Sequence, residues 1–278
     1  MIKLFVSCHK RSVVPDHPLL QPIQVGTELA SEEFPGFLHD NTGDNISVKN
    51  RSYCELTAQY WAWKNYNADY YGFFHYRRYL YPDLNPKLPY RLEKELSLQT
   101  LQRLRFDTFE DLIPQYDIIM PKAEDMHVSV REHYACAPYH HARDLRLAES
   151  IVRSLWPSYV PAMETYFSQT SLYFGNIFIM RKPMFQNYCS WLFPVLEEFD
   201  RISDCSDYSP QERRVDGYLA ERLLGIFFLQ NRQFLKNVEI PRVHFLSGAE
   251  YQKERLLNMI LPPGTRIRSS AKKMIKRP

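Results

Sequence analysis

The stretch Tyr70-Tyr-Gly-Phe-Phe-His-Tyr-Arg-Arg-Tyr-Leu80 passes from an apolar strand into a cationic, aromatic edge. Open α/β folds bind their ligands where strands end. Such an end would carry His75, Arg77 and Arg78, with Tyr76 and Tyr79 between them. Guanidinium forks match phosphate oxygens, and tyrosine rings cover flat or ring-shaped groups. The expected ligand is therefore phosphorylated and carries a ring. The bland alternative is an ordinary strand end with solvated arginines.

Two carboxylates are candidates for proton transfer. The helix expected over Gly217–Gln230 is apolar on most sides, and Glu221 and Arg222 are the exceptions. A carboxylate on a buried helix must find a partner or shift its pKa upward, which suits a general base. The competing role is an ion pair with Arg213 or Arg214. Asp216 is the second candidate, and its competing role is a simple N-cap.

Other polar groups cluster before and between the helices. Asp44, Asn45 and Lys49 lie in a turn-rich loop with Asp40 and Asn50. They could hold sugar hydroxyls, with Lys49 on a phosphate; Asp40 and Asn41 read better as turn chemistry. His133, His140, His141 and Asp144 could form a metal site, although His-His-x-x-Asp is a weak ligand pattern. Gly-x-Gly-x-x-Gly, Gly-x-x-x-x-Gly-Lys, Gly-x-Ser-x-Gly and His-Glu-x-x-His are absent, and no Asp-x-Asp occurs.

These residues need a scaffold of alternating elements. Short apolar runs predict strands at Ile2–Ser7, 22–26, Tyr70–His75, 116–121 and 174–180. Ser52-x-x-Glu55 has the form of a capping box, and Tyr53, Leu56, Tyr60 and Trp63 then mark one face of a helix ending near Lys64-Asn65. Residues 122–141 read as a long loop. Helices are expected over Asp144–Leu155 and from Pro183 onward, with Pro194 a kink. Strands alternating with helices imply a three-layer α/β fold with a mostly parallel central sheet.

Composition limits the partners. The chain has 278 residues, 45% of them hydrophobic, and a net charge of +3, too small to argue for nucleic acid. Nineteen Tyr and 17 Phe supply amphipathic surface for sugars and nucleotides as well as core. Five scattered cysteines without Cys-x-x-Cys lead us to expect a reduced, intracellular protein. The first residues read as a strand rather than a signal peptide, and no apolar run approaches a membrane span. From Arg266 to Arg277 there are six cations and no acid, interleaved with Ile267, Met274 and Ile275. This tail is either a membrane-surface contact or a frayed, solvated end.

Several segments, taken in order, resemble one family. They are the Ser7-Cys-His-Lys10 strand end, Gly43-Asp-Asn-Ile-Ser-x-Lys-Asn50, Glu55-Leu-Thr-x-x-Tyr-Trp-Ala-Trp-Lys-Asn65, and Gly72-Phe-Phe-His-Tyr-Arg-Arg-Tyr79. Asn176-Ile-Phe-Ile-Met180, Tyr188-Cys-x-Trp-Leu-Phe193 and Arg214-x-x-Gly-Tyr-Leu-Ala-Glu-Arg-Leu-Leu224 complete the set. Together they resemble the DUF4422 family of bacterial glycosyltransferases of capsule and O-antigen assembly. The resemblance implies a GT-A-like, Rossmann-related domain over residues 1–232 and leaves 233–278 as a C-terminal extension with a basic tail.

It also implies transfer of a hexose, galactofuranose among the candidates, from a UDP-type donor to a glycan or lipid-linked oligosaccharide. Enzymes of that fold hold the donor diphosphate through a divalent Mn or Mg on an Asp-x-Asp. Here His75-Tyr-Arg-Arg78 takes that place, so Arg77 and Arg78 are expected to neutralise the diphosphate instead. By the same analogy His9 and Gln24 would lie at the nucleoside, and Asn176, with Tyr76, His140 and Asp144, at the sugar or acceptor. Glu221 or Asp216 would be the base of an inverting transfer at the cytoplasmic face of the membrane. Two other readings stay open: a non-catalytic glycan-binding protein, and a metal-dependent phosphodiesterase built on His133, His140 and His141.

Overall fold

The computed structural model describes residues 1–94 and 96–260. A ten-stranded sheet forms its centre. Strands β1 (Ile2–Cys8), β2 (Leu20–Gln24) and β3 (Leu38–His39) run parallel to one another and to β4 (Tyr70–His75). Beyond β4 come Phe178–Arg181, Ile118–Pro121 and Asn237–Ile240 in that spatial order. The first of these three is antiparallel to both its neighbours, and the last two are parallel to each other. The sheet is thus mostly parallel, with Phe178–Arg181 reversed in its middle and Arg78–Leu80 reversed where it branches.

Both faces of the sheet are covered, so its strands are apolar on both sides. Successive residues of β1 and β4 show this directly. Phe5 stacks on Phe73 with ring centroids 5.4 Å apart, on the face that packs against the helices Leu56–Asn65, Ala142–Leu155, Lys182–Ile202 and Val215–Asn231. Leu4, Val6 and Phe74 point the other way, into a core closed by Leu101, Leu104, Phe106 and Phe109. Gly72 allows the two strands to mesh: a Cβ there would lie 2.3 Å from Leu4 Cδ2.

The sheet runs past residue 232, where the sequence reading sets a boundary. Asn237–Ile240 pairs with Ile118–Pro121, and Arg242–Phe245 pairs with Arg78–Leu80 and Tyr90–Glu93. The helix Gly248–Ile260 follows these strands and lies outside the sheet. The basic tail lies outside the described residues. Among the described residues no disulfide links the five cysteines, and no helix is long and apolar enough to cross a membrane.

Local expectations fail in instructive places. The capping box expected of Ser52 and Glu55 does not form. A short helix, Asn50–Tyr53, ends at Cys54, which adopts φ 52° and ψ −127°, and a new helix starts at Leu56. Both side chains are claimed by distant residues, Ser52 by Asp216 and Glu55 by Asn176. The loop expected over residues 122–141 contains a helix, Val130–Cys136, whose capping box is Ser129 with Glu132. The strand expected over 174–180 starts only at Phe178, because Gly175 (φ 97°) and Asn176 (φ 47°) turn the chain first. Pro194 sits inside a helix that continues to Ile202.

Candidate active site

The ends of β1 and β4 open into a cavity of about 1190 Å³. Ser7 and His75 are register partners on these strands, and both line it. After His75 the chain turns back at once, and Arg78 pairs with His75 across the turn. That tight return places Tyr76, Arg77 and Arg78 on the cavity wall. Arg51, Arg213, Arg214 and Arg222 also line it, against two carboxylates among the described residues, Glu55 and Glu221. A wall with this excess of guanidinium suits an anionic ligand.

Burial decides which of these groups is charged. Burial, followed by the nearby Arg78 and Arg77, holds the His75 imidazole well below its usual range, so it is neutral at pH 7. Burial, Lys10 and Arg77 likewise lower His9. The positive charge at this end of the wall therefore comes from arginine, and His75 and His9 act as neutral hydrogen-bonding groups. Burial also lowers Arg78, against the pull of Glu221. Ser7 Oγ, His75 Nδ1 and Arg77 Nε are buried without a hydrogen-bond partner among the described residues. Such atoms are costly unless a ligand completes them.

The two carboxylates are aimed by one bend of the chain. At Phe174-Gly175-Asn176 the Gly175 N–H donates to Glu221 Oε1 at 2.9 Å, and Asn176 Nδ2 donates to Glu55 Oε1 at 2.9 Å. The same amide donates to the Gly217 carbonyl at 3.0 Å, which ties the bend to the helix Val215–Asn231. Phe174 lies between two buried guanidiniums, 5.9 Å from Arg222 and 5.4 Å from Arg242. Arg222 pairs with Glu221 at 2.6 Å and reaches His133 at 3.4 Å. The partner of Glu221 is thus its own neighbour, rather than Arg213 or Arg214.

Of the residues singled out from sequence, His9, His75, Tyr76, Arg77, Arg78, His133, His140 and Glu221 meet in the cavity. Gln24, Asp44, Asn45, Lys49, Asn176, Asp144, Asp216 and His141 do not line it. Gln24 is buried beneath the loop that follows β2, accepting from Phe34 N and donating to Glu32 O. Asp44 accepts from Tyr60, and Asn45 braces its own loop through the Asn41 and Gly43 carbonyls. Lys49 pairs with Asp200 at 2.8 Å. Asn176 is 2% exposed and acts through Glu55. Asp144 accepts from Tyr208 Oη, and burial raises its carboxyl.

Asp216 is corrected in both of its expected roles. It occupies the first turn of its helix without capping it. Its carboxyl is wholly buried, accepts from Ser52 Oγ, and does not line the cavity. Asp40 matches its turn-chemistry reading, accepting from Gly26 N, Thr27 N and Ser47 Oγ.

Glu55 is the group that sequence reasoning missed. Its apparent pairing with Ser52 disguised it, and its contact with Asn176 spans 121 positions.

The wall does not fit a divalent metal. At the end of β4 two guanidiniums stand where acidic ligands would be needed, and they repel a cation. The histidines disperse: His140 stacks on Tyr218 at 4.1 Å, His141 pairs with Glu212, and His133 meets Arg222. Among the described residues no group of three His, Cys, Asp or Glu could hold a metal.

Three comparisons with known proteins bear on this site. The family model described as a domain of unknown function, DUF4422, matches residues 3–232. A search of curated proteins returned no match. Among solved structures the chain is similar to one titled "WbbM bifunctional glycosytransferase apo structure", with a TM-score of 0.82 and 34% identity. The alignment covers 88% of this chain and 45% of the other, so this chain spans less than half the length of that protein.

Proposed function

The chain belongs to the DUF4422 family, and we propose that it is a glycosyltransferase, moving a hexose from a nucleotide-sugar donor to a glycan or lipid-linked oligosaccharide in bacterial surface polysaccharide assembly. The observation that carries this reading is the pairing, in one cavity, of Arg77 and Arg78 at a strand end with the carboxylates Glu55 and Glu221. The likeness to a protein titled as a bifunctional glycosyltransferase supports it. A binding site for a neutral glycan needs neither the guanidiniums nor the half-buried carboxylates.

The chemistry follows from the charges. Departure of a nucleoside diphosphate concentrates negative charge on its phosphate oxygens. Arg77 and Arg78 stabilise that charge in a partly desolvated site, where a fixed cation is worth more than in water. Neutral His75 and Ser7, with unpartnered polar atoms, offer hydrogen bonds to the same ligand. A cavity carboxylate takes the proton of the acceptor hydroxyl as it attacks in a single displacement, which inverts the anomeric carbon. Work at the cytoplasmic face of the membrane, with the basic tail at the lipid surface, belongs to the same reading.

Titration of the protein with UDP tests it. Wild type binds UDP, and Arg78→Ala weakens binding by roughly 10- to 100-fold, the value of a charge-assisted hydrogen bond. A protein that binds neither UDP nor another nucleoside diphosphate is not a glycosyltransferase of this kind.

A further inference from the structure

Three carboxyl groups compete to accept the acceptor's proton, and their surroundings separate them. Asp216 has no exposed surface and is bonded to Ser52 outside the cavity. Glu221 lines the cavity, yet each of its oxygens already holds a donor, Gly175 N–H on one and Arg222 on the other. Arg222 cannot withdraw, because its side chain is 2% exposed and its guanidinium lies 5.4 Å from the Tyr134 ring and 5.9 Å from Phe174.

Glu55 differs from both. No cation among the described residues is bonded to it. It sits at the break between two helices, where Asn50 Nδ2 holds the Cys54 carbonyl at 2.7 Å. Gly217 leaves room for that break: a Cβ there would stand 3.3 Å from Cys54 Sγ. Its Oε1 is fixed by Asn176. The charged and titratable groups that face it are Glu221 from the long helix, Arg214 before that helix, Arg78 from the strand end, Tyr188 from the helix Lys182–Ile202, and its neighbour Cys54.

Resting on the glycosyltransferase reading, we propose that Glu55 is the general base and that Asn176 is its positioning residue. The acceptor hydroxyl oxygen bonds to the anomeric carbon as the bond from that carbon to the diphosphate oxygen breaks. The electron pair leaves with the nucleoside diphosphate beside Arg77 and Arg78. The hydroxyl proton passes to the Glu55 carboxylate, which later returns it to solvent. Glu221, ion-paired with Arg222, sets the electrostatic field around Glu55. Burial raises the Glu55 carboxyl; the Asn176 bond and its own backbone amide oppose this, and the Glu221 charge adds to it. Carboxylates whose environments differ in this way take different roles.

The test uses the full chain, UDP for binding, and a panel of UDP-hexoses with n-octyl β-galactoside as acceptor. In Glu55→Gln the amide oxygen still accepts from Asn176, so the fold is kept. Expected are a UDP affinity within about twofold of wild type and a kcat lower by roughly 10²- to 10⁴-fold, the contribution of general-base catalysis. Glu55→Asp restores part of the rate. The wild-type rate rises with pH as Glu55 ionises, and Glu221→Gln moves that limb to lower pH by removing a neighbouring negative charge. UDP release from a donor that is equal in wild type and Glu55→Gln overturns the assignment alone. Absence of UDP binding, or of UDP release from every donor by wild type, overturns the glycosyltransferase reading and the assignment with it.

Discussion

Gly225 lies inside the helix Val215–Asn231, a position where glycine costs about 1 kcal/mol relative to alanine. Gly225→Ala therefore looks stabilising by propensity, and the packing reverses the sign. A Cβ at this position would lie 2.0 Å from Tyr166 Cζ and 2.3 Å from its hydroxyl oxygen. Carbon contacts rest near 3.5–4.0 Å, so ring or helix must shift by roughly 1.5 Å. Tyr166 has nowhere to go: it has no exposed surface, stacks on Tyr173, and its hydroxyl accepts from Tyr173 N at 3.3 Å. Overpacking of this kind costs about 1–3 kcal/mol and sometimes more. With a gap this short the upper end applies, and the propensity gain leaves a net loss of about 2 kcal/mol. Denaturant titration at unchanged slope should report that loss. In a Tyr166→Leu background, which removes Cζ and the hydroxyl, the alanine should be neutral or favourable, giving a coupling energy of similar size. A Gly225→Ala protein at least as stable as wild type would refute the reasoning. Because Glu221 lies one turn earlier on this helix, the same displacement should also lower turnover.

Asp216 makes a prediction about pH. Burial, reinforced by the Asp200 charge, pushes its carboxyl up to about 8, from 3.8 in an unfolded chain. A folded value above the unfolded one stabilises the protein at low pH, and that stability is lost as pH rises between the two values, by about 1.4 kcal/mol per pH unit. Asp216→Asn should therefore be more stable than wild type at pH 8, by a margin that shrinks toward pH 4; parallel stability profiles would contradict this. Transfer should also persist in excess chelator, because the proposed reading sets guanidiniums rather than a metal against the diphosphate. Complete loss restored by Mn or Mg would defeat that expectation.

Much of the scaffold is visible in local pattern. Tyr70–His75 alternates between two buried faces and is followed at once by cations, so both the strand and its charged end follow from neighbouring residues. The helix at Val130–Cys136 carried its own signal, Ser129-x-x-Glu132, in a segment that its histidines made look like a loop. Asp40 was legible for the same reason, since its partners lie within 14 positions.

The amino-acid sequence alone determined the sheet with its buried strands, the cationic strand end, and a polar residue inventory suited to a phosphorylated ligand that carries a ring. These are properties of periods of two and of three to four residues. Tertiary structure alone decided which carboxylate meets which partner. Ser52 and Glu55 look like a cap for each other, yet they bond to Asp216, 164 positions away, and Asn176, 121 away. Lys49 looks like a phosphate ligand, yet it is paired with Asp200, 151 positions away. The role of an ionisable side chain depends on burial and on the nearest opposite charge, and neither is set by the residues beside it in the chain.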